Sequence, residues 1–165
     1  MWRRGSGPKP SPTWSRRRRP SSGSSSLNGM AWPTALLAEA HRLAARAEPA
    51  LALARRGLEI TQAAQYWYGA AHAHRVLGRI ASDAGEWPEA GANLAEALRI
   101  FDSIGARFEA ARTRLELASL ADARGDGATA TSHLREANQL LETLEAPGYV
   151  ERANRLAVQL NLPVA

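Results

Sequence analysis

Apolar residues recur every three or four positions from about residue 33 onward, which is the spacing of an α-helix that buries one face. One clear stripe consists of Leu94, Ala97, Leu98, Phe101 and Ile104. Segments with this spacing alternate with short polar stretches, and the pattern predicts seven helices. Their predicted bounds are residues 33–46, 49–64, 67–83, 88–103, 107–124, 128–145 and 148–161.

Prolines and glycines lie at the predicted helix ends. Proline suits the first turn of a helix, because it lacks an amide hydrogen and has a fixed φ angle. Four prolines occupy such positions: Pro33, Pro49, Pro88 and Pro147. Gly85 and Gly125 directly follow predicted helices, where a left-handed or turn conformation reverses the chain. Consecutive helices are therefore predicted to pair as hairpins.

The sequence also aligns with itself, without any gap, in three repeats of equal length: 31–70, 71–110 and 111–150. Their aligned positions include Leu37, Leu77 and Leu117, then Ala50, Ala90 and Ala130, and then Ile60, Ile100 and Leu140. A repeat of this length is one supersecondary unit that buries its apolar face only by stacking on its neighbours. The predicted fold is an all-α solenoid of three helical hairpins, with residues 151–161 as a C-terminal capping helix.

Two features are predicted to determine how the helices pack. Gly78 is aligned with Ala38 and Ala118, which indicates a close approach between two helices at this position. Because alanine occupies both equivalent sites, a methyl group is predicted to be tolerated at Gly78 and a larger side chain to be excluded. The aromatic cluster of residues 66–68 (Tyr-Trp-Tyr) lies at a repeat boundary and is predicted to bury a helix junction.

Charge is distributed unevenly along the 165 residues, which carry a net charge of +5. Residues 1–30 contain seven basic residues and no acidic one, so residues 31–165 hold 14 basic and 16 acidic side chains, a net charge of −2. The first segment is rich in Ser, Pro, Gly and Arg and cannot bury enough apolar surface to offset the entropy of ordering. We therefore predict a disordered basic tail over residues 1–30 and a helical-repeat domain over residues 31–165.

Several kinds of chemistry have no support in the sequence. There is no cysteine, which excludes disulfides and agrees with a reducing compartment. No apolar run approaches the roughly 20 residues that a membrane-spanning helix needs, so we expect a soluble, cytoplasmic protein without a membrane partner. The histidines lack metal-site spacing: His72 and His74, for example, point to different sides of a helix. Without a phosphate-binding glycine motif or a catalytic constellation, we expect no enzymatic activity, cofactor or metal, and no small-molecule ligand.

The repeat resembles the tetratricopeptide family, in which the first helix carries Leu-Gly and the second carries Ala, a large residue and Ala. The matching residues of the second repeat are Leu77, Gly78, Ala90, Leu94 and Ala97, and those of the third are Leu117, Ala118, Ala130, Leu134 and Ala137. The resemblance covers residues 31–161, although the repeat unit is longer than the family's usual length of about 34. Long, alanine-rich repeats of this kind are similar to the C-terminal arrays of bacterial signalling ATPases, nucleotide cyclases and transcription regulators.

The resemblance implies a scaffold that binds a peptide or partner domain on a concave face formed by the first helix of each repeat. The residues predicted to line this groove are His72, Arg75, Arg79, Arg112, Arg152 and Arg155. Their positive charge suggests an acidic partner, unless the arginines are balanced by acidic neighbours such as Glu39, Asp83, Glu116 and Asp122.

Two other functions remain open at this stage. In the first, the chain is a detached regulatory fragment of a larger bacterial ATPase, adenylate cyclase or transcription regulator. In the second, the Arg16–Arg19 run, together with Trp2 and Trp14, contacts nucleic acid, because guanidinium groups bind phosphates and indole rings stack on bases.

Overall fold

The computed structural model describes residues 34–162, and within this range the chain forms helices joined by short turns, without a strand. The helices are α1 (34–43), α2 (Ala47–Ala63), α3 (Trp67–Asp83), α4 (Trp87–Ser103), α5 (Arg107–Ala123), α6 (Gly127–Thr143) and α7 (Pro147–Gln159). From α2 to α7, each helix packs mainly on its neighbours in the chain, as the units of a solenoid do. The predicted all-α helical solenoid is confirmed. The segment 1–30, predicted to be disordered, lies outside the described residues.

The turns recur at a constant spacing of half a repeat, because the helices from α3 to α7 begin at positions 67, 87, 107, 127 and 147. Every turn contains a residue with a positive φ angle: Ala45, Gln65, Gly85, Gly105, Gly125 and Glu145. After α3, Gly85 N–H donates to Ser82 O at 3.1 Å and Glu86 N–H donates to Ala81 O at 2.9 Å. These bonds satisfy carbonyl groups at the helix end while the chain reverses. The predicted turn role of Gly85 and Gly125 is confirmed.

Prolines occupy the first turn of three helices. Pro88 and Pro147 are at the first or second position of α4 and α7. Pro49 is the third residue of α2, because this helix begins at Ala47, slightly earlier than predicted. Its missing amide hydrogen is still harmless there, since the first turn of a helix has no intrahelical acceptors for its amides. Pro33 lies outside the described residues.

The core is divided into several clusters along the array, so no single centre holds the fold together. The last cluster shows how the array ends: Ala153 and Ala157 of α7 pack on Leu134 and Leu141 of α6, and all four side chains are buried. Buried alanines allow the helix backbones to approach closely. Because α7 covers the apolar face of the last hairpin, it is the capping helix that the sequence predicted.

Gly78 lies at a close helix contact, as predicted, but this contact is tighter than the alignment suggested. A Cβ atom at Gly78 would lie 2.7 Å from Leu94 Cγ and 3.3 Å from Ala90 O. Leu94 is 1% exposed. The prediction that a methyl group fits at Gly78 is therefore wrong, since even alanine would force the two helices or Leu94 to shift.

The aromatic residues at the start of α3 have different environments. Tyr68 packs edge-on against Phe101, with the ring centroids 5.9 Å apart, so it buries a helix junction as predicted. Trp67 instead is 50% exposed, because it lies at the first position of α3 and points away from that junction. In the next repeat Phe108 of α5 makes an edge-on contact with Tyr149 of α7 at 4.8 Å.

Candidate partner-binding groove

A concave groove runs between α3, α5 and α7, which are the first helices of successive repeats. It encloses a cavity of about 390 Å³. Its lining residues are Arg79, Arg112, Leu115, Glu116, Ser119, Tyr149, Arg152, Arg155, Leu156 and Gln159. The groove thus combines an apolar floor with four arginines and a single carboxylate.

The structure brings four of the six predicted groove residues together and separates the other two from them. Arg79, Arg112, Arg152 and Arg155 line the cavity. His72 and Arg75 do not, because they are buried with exposures of 7% and 3%. The prediction that His72 and Arg75 face the open groove is corrected: both lie on the side of α3 that packs against α4 and α5.

Arg75 forms the centre of a buried polar cluster. Its Nη1 donates to Glu109 Oε2 at 2.6 Å, its Nη2 donates to His72 Nδ1 at 3.1 Å, and its guanidinium lies 5.4 Å from the centre of the Phe101 ring. Burial, reinforced by the charge of Arg75, lowers the pKa of His72 to about 4, so the imidazole is neutral and its Nδ1 accepts. Burial alone would raise the pKa of Glu109, but Arg75 outweighs this effect and the pKa is lowered. Arg75 is therefore a packing residue held by an ion pair.

Arg79 joins three helices through ion pairs. Its guanidinium donates to Glu39 of α1 at 3.1 Å and to Glu116 of α5. Arg42 of α1 also donates to Glu39, at 2.9 Å, and to Asp83 at 2.6 Å. Three of the four acidic residues that were considered as balancing charges therefore do pair with arginines. At the α3 side of the groove, positive charge is largely neutralised.

On the α7 side of the groove, the positive charge is less neutralised by ion pairs than on the α3 side. Arg112 Nη1 lies 3.3 Å from both oxygens of Glu109, a long contact, and its guanidinium is 5.7 Å from the centre of the Tyr149 ring. Arg155 pairs with Glu151 at 2.8 Å, but both side chains are mostly exposed, and such pairs contribute little. Arg152 forms no ion pair within residues 34–162.

One groove residue that the sequence did not identify as a site is Glu116. Its Oε2 atom is buried and has no hydrogen-bond partner in the described part of the chain. A buried acceptor without a partner is costly, and a donor group on a bound molecule would satisfy it. The sequence analysis considered Glu116 only as an acidic neighbour that balances an arginine, because its position in the groove is not visible in the sequence.

The described residues give no sign of metal chemistry or of a membrane segment. No group of three His, Asp or Glu residues within 34–162 is close enough to hold a metal ion. Among the described helices, none has the length and apolar character needed to cross a membrane. Comparison with known proteins found no matching family model and no matching curated protein.

Proposed function

We propose that the helical-repeat domain is a protein-binding scaffold and that the groove between α3, α5 and α7 holds an acidic segment of the partner. The observation that carries this proposal is the charge of the α7 side, where three arginines line the cavity: Arg112, Arg152 and Arg155. Arg112 shares the single carboxylate of Glu109 with Arg75, and the partner of Arg155 is exposed. Arg152 makes no ion pair among residues 34–162. The resemblance of the repeat to the tetratricopeptide family supports the same function.

An extended peptide satisfies the other features of this groove. Leu115, Tyr149 and Leu156 supply apolar contact area for its side chains. The free Glu116 Oε2 is placed to accept a hydrogen bond from a peptide amide. Arginine side chains bind carboxylates with two parallel hydrogen bonds, which adds orientation to the charge attraction. Electrostatic attraction of this kind mainly accelerates association, and salt weakens it.

A charge-reversal variant tests the groove. We expect Arg112→Glu/Arg152→Glu/Arg155→Glu to lose binding of a fluorescent peptide of alternating Glu and Leu, measured by fluorescence anisotropy. The matched control is Arg55→Glu/Arg107→Glu/Arg135→Glu, which changes the net charge equally at exposed positions outside the cavity. Both variants should keep the parent's circular dichroism. Equal loss of binding in the control would show that net charge, and not the groove, attracts the peptide.

The N-terminal face supports the alternative proposal that this domain is a regulatory module and works beside an ATPase, nucleotide cyclase or transcription-regulator domain. Leu36, Leu37 and Leu43 of α1 are exposed, the last by 71%. The residues equivalent to Leu36 and Leu37 in the second repeat are Val76 and Leu77, which are buried against α2. A neighbouring domain that supplies a helix in the place of α2 would cover the α1 leucines. The proposed nucleic-acid contact through Arg16–Arg19 lies outside the described residues and stays a prediction.

A further inference from the structure

A second cavity, of about 270 Å³, lies away from the arginine groove, between α4, α5 and α6. Its apolar wall is formed by Leu117, Leu120 and Ala121 of α5. On the α4 side the wall is Gly91, which contributes no side chain. The cavity therefore has the size of one small aliphatic group with a polar head, slightly below the usual volumes of ligand sites.

Comparison with the first repeat explains why this space is open. Gly91 is aligned with Leu51, one repeat earlier, and Leu51 packs into the cluster that contains Leu77 and Ile80. Those two residues are aligned with Leu117 and Leu120 of the cavity wall. A leucine side chain thus fills this position in the first junction, whereas glycine leaves it vacant in the second. A Cβ atom at Gly91 would meet only Leu120 Cδ2, at 3.7 Å, so the site accepts added atoms.

The rim of the cavity carries both signs of charge, and a buried polar atom elsewhere in its lining is unsatisfied. Arg124 lines the rim and makes no ion pair in the described range, and Asp126 lies beside it, accepting a hydrogen bond from Thr129 N–H at 3.0 Å. His133 Nδ1 is buried at the same cavity without a partner among residues 34–162. The equivalent side chain one repeat earlier, Asn93, has its Oδ1 3.0 Å from His74 Nδ1.

We propose that this cavity binds a free aliphatic α-amino acid of the size of leucine. The branched chain occupies the volume beside Gly91 that Leu51 fills in the first repeat, against Leu117 and Leu120. The carboxylate pairs with Arg124, and the ammonium group pairs with Asp126. A zwitterion matches the two opposite rim charges, which a purely anionic or cationic ligand does not. This site differs from the expectation that no small molecule binds, and it is independent of the proposed groove.

The test uses the full chain with ¹³C-labelled leucine methyl groups and a titration with unlabelled L-leucine, followed by NMR. We expect saturable shifts at Leu117 and Leu120 at millimolar ligand. The Gly91→Leu variant fills the space covalently and should weaken binding by about tenfold or more. Gly91→Ala is the matched control: it adds a methyl group in ordinary contact distance and should retain binding. A parent protein without saturable shifts, or a Gly91→Leu variant that binds like the parent, would overturn the proposal.

Two further comparisons examine the polar head separately. The compounds 4-methylpentanoate and 3-methylbutylamine each keep the aliphatic chain but lack the ammonium group or the carboxylate, and both should bind more weakly than leucine. Arg124→Ala, an exposed substitution that leaves the fold intact, should weaken leucine binding and leave binding of the amine unchanged. This variant also keeps the test decisive if Gly91→Leu fails to fold. If both half-ligands bind as tightly as leucine, the assignment of a zwitterion is wrong.

Discussion

At the scale of single residues, side-chain volume at helix contacts determines what the array tolerates. Sequence alignment of the repeats predicted that Gly78 marks a close contact, but not how close it is. In the first repeat Ala38 packs in the same cluster as Ala54, whereas Gly78 meets Leu94, the residue aligned with Ala54. In the third repeat, however, Ala118 shares a buried cluster with Leu134, the residue aligned with Leu94. The residue types across the contact therefore do not determine the space at Gly78 by themselves, and the approach of the two helices is needed as well.

Two glycines in the middle of helices should respond to alanine in opposite ways. We expect Gly78→Ala to destabilise the protein by about 1–3 kcal/mol through overpacking against Leu94. Gly91→Ala should stabilise it by about 0.5–1 kcal/mol, because alanine is the better helix former and space is available. Urea unfolding followed by circular dichroism measures both. A Gly78→Ala variant as stable as the parent would contradict the tight contact, and so would a penalty that persists in a Leu94→Ala background.

The buried His72 predicts a pH dependence of stability. Its pKa of about 4 lies below the value of the unfolded chain, about 6.5, so the unfolded state binds the proton first as the pH falls. The contribution of His72 to the free energy of unfolding should therefore be fully present above pH 6.5. It should fall between pH 6.5 and 4, by at most about 1.4 kcal/mol per pH unit. His133, whose pKa is also lowered by burial, adds in the same direction. His72→Asn should reduce the slope, and an unchanged slope would contradict the burial of a neutral imidazole.

At the scale of helices and turns, the constant spacing of the turns predicts their positions better than the residue type does. The sequence identified the turns at Gly85 and Gly125 because glycine suits a positive φ angle. It did not identify the equivalent conformation at Ala45, Gln65 and Glu145, since these residues have no preference for it. The turns occur at half the sequence spacing between Gly85 and Gly125. Extending this spacing in both directions along the chain would have located the turns at all three residues.

The turn residues offer a pair of substitutions with opposite effects. Gln65 adopts a φ angle of 52°, which costs an ordinary L-residue about 1 kcal/mol, so Gln65→Gly should raise the free energy of unfolding by up to that amount. Gly105 adopts a φ angle of 71° in the equivalent turn. Gly105→Ala should therefore lower the free energy of unfolding by about 1 kcal/mol. Thermal unfolding by calorimetry compares the two. If both substitutions shift the melting temperature in the same direction, the left-handed turn geometry is not what limits these positions.

At the scale of the whole molecule, ion pairs between first helices couple repeats that are distant in sequence. Arg79 reaches Glu39 of the previous repeat and Glu116 of the next one. Glu39 and Arg79 occupy the same register position in successive repeats, so the repeat alignment contained a signal for this pair. The pair of Arg75 with Glu109 had no such signal, because its members occupy different register positions.

The sequence therefore predicted the fold, because helices and repeats follow from periodicity. The groove face was implied only by the resemblance, and two of its six predicted residues, His72 and Arg75, are buried. Which arginines remain available was not predictable in this way, since burial and pairing depend on neighbouring helices. His72 and Arg75 have the same spacing along α3 as a surface stripe, yet the α4 and α5 side chains Phe101 and Glu109 enclose them. Arg152 is exposed and makes no ion pair among residues 34–162.

The most direct test of the binding groove exchanges the charges of both molecules. The parent protein and Arg112→Glu/Arg152→Glu/Arg155→Glu are each titrated by fluorescence anisotropy with two labelled peptides, one of alternating Glu and Leu and one of alternating Lys and Leu. We predict that the parent prefers the acidic peptide, that the variant prefers the basic one, and that both preferences weaken as salt increases. A variant that keeps the parent's preference for the acidic peptide would contradict the assignment of this groove as the binding surface.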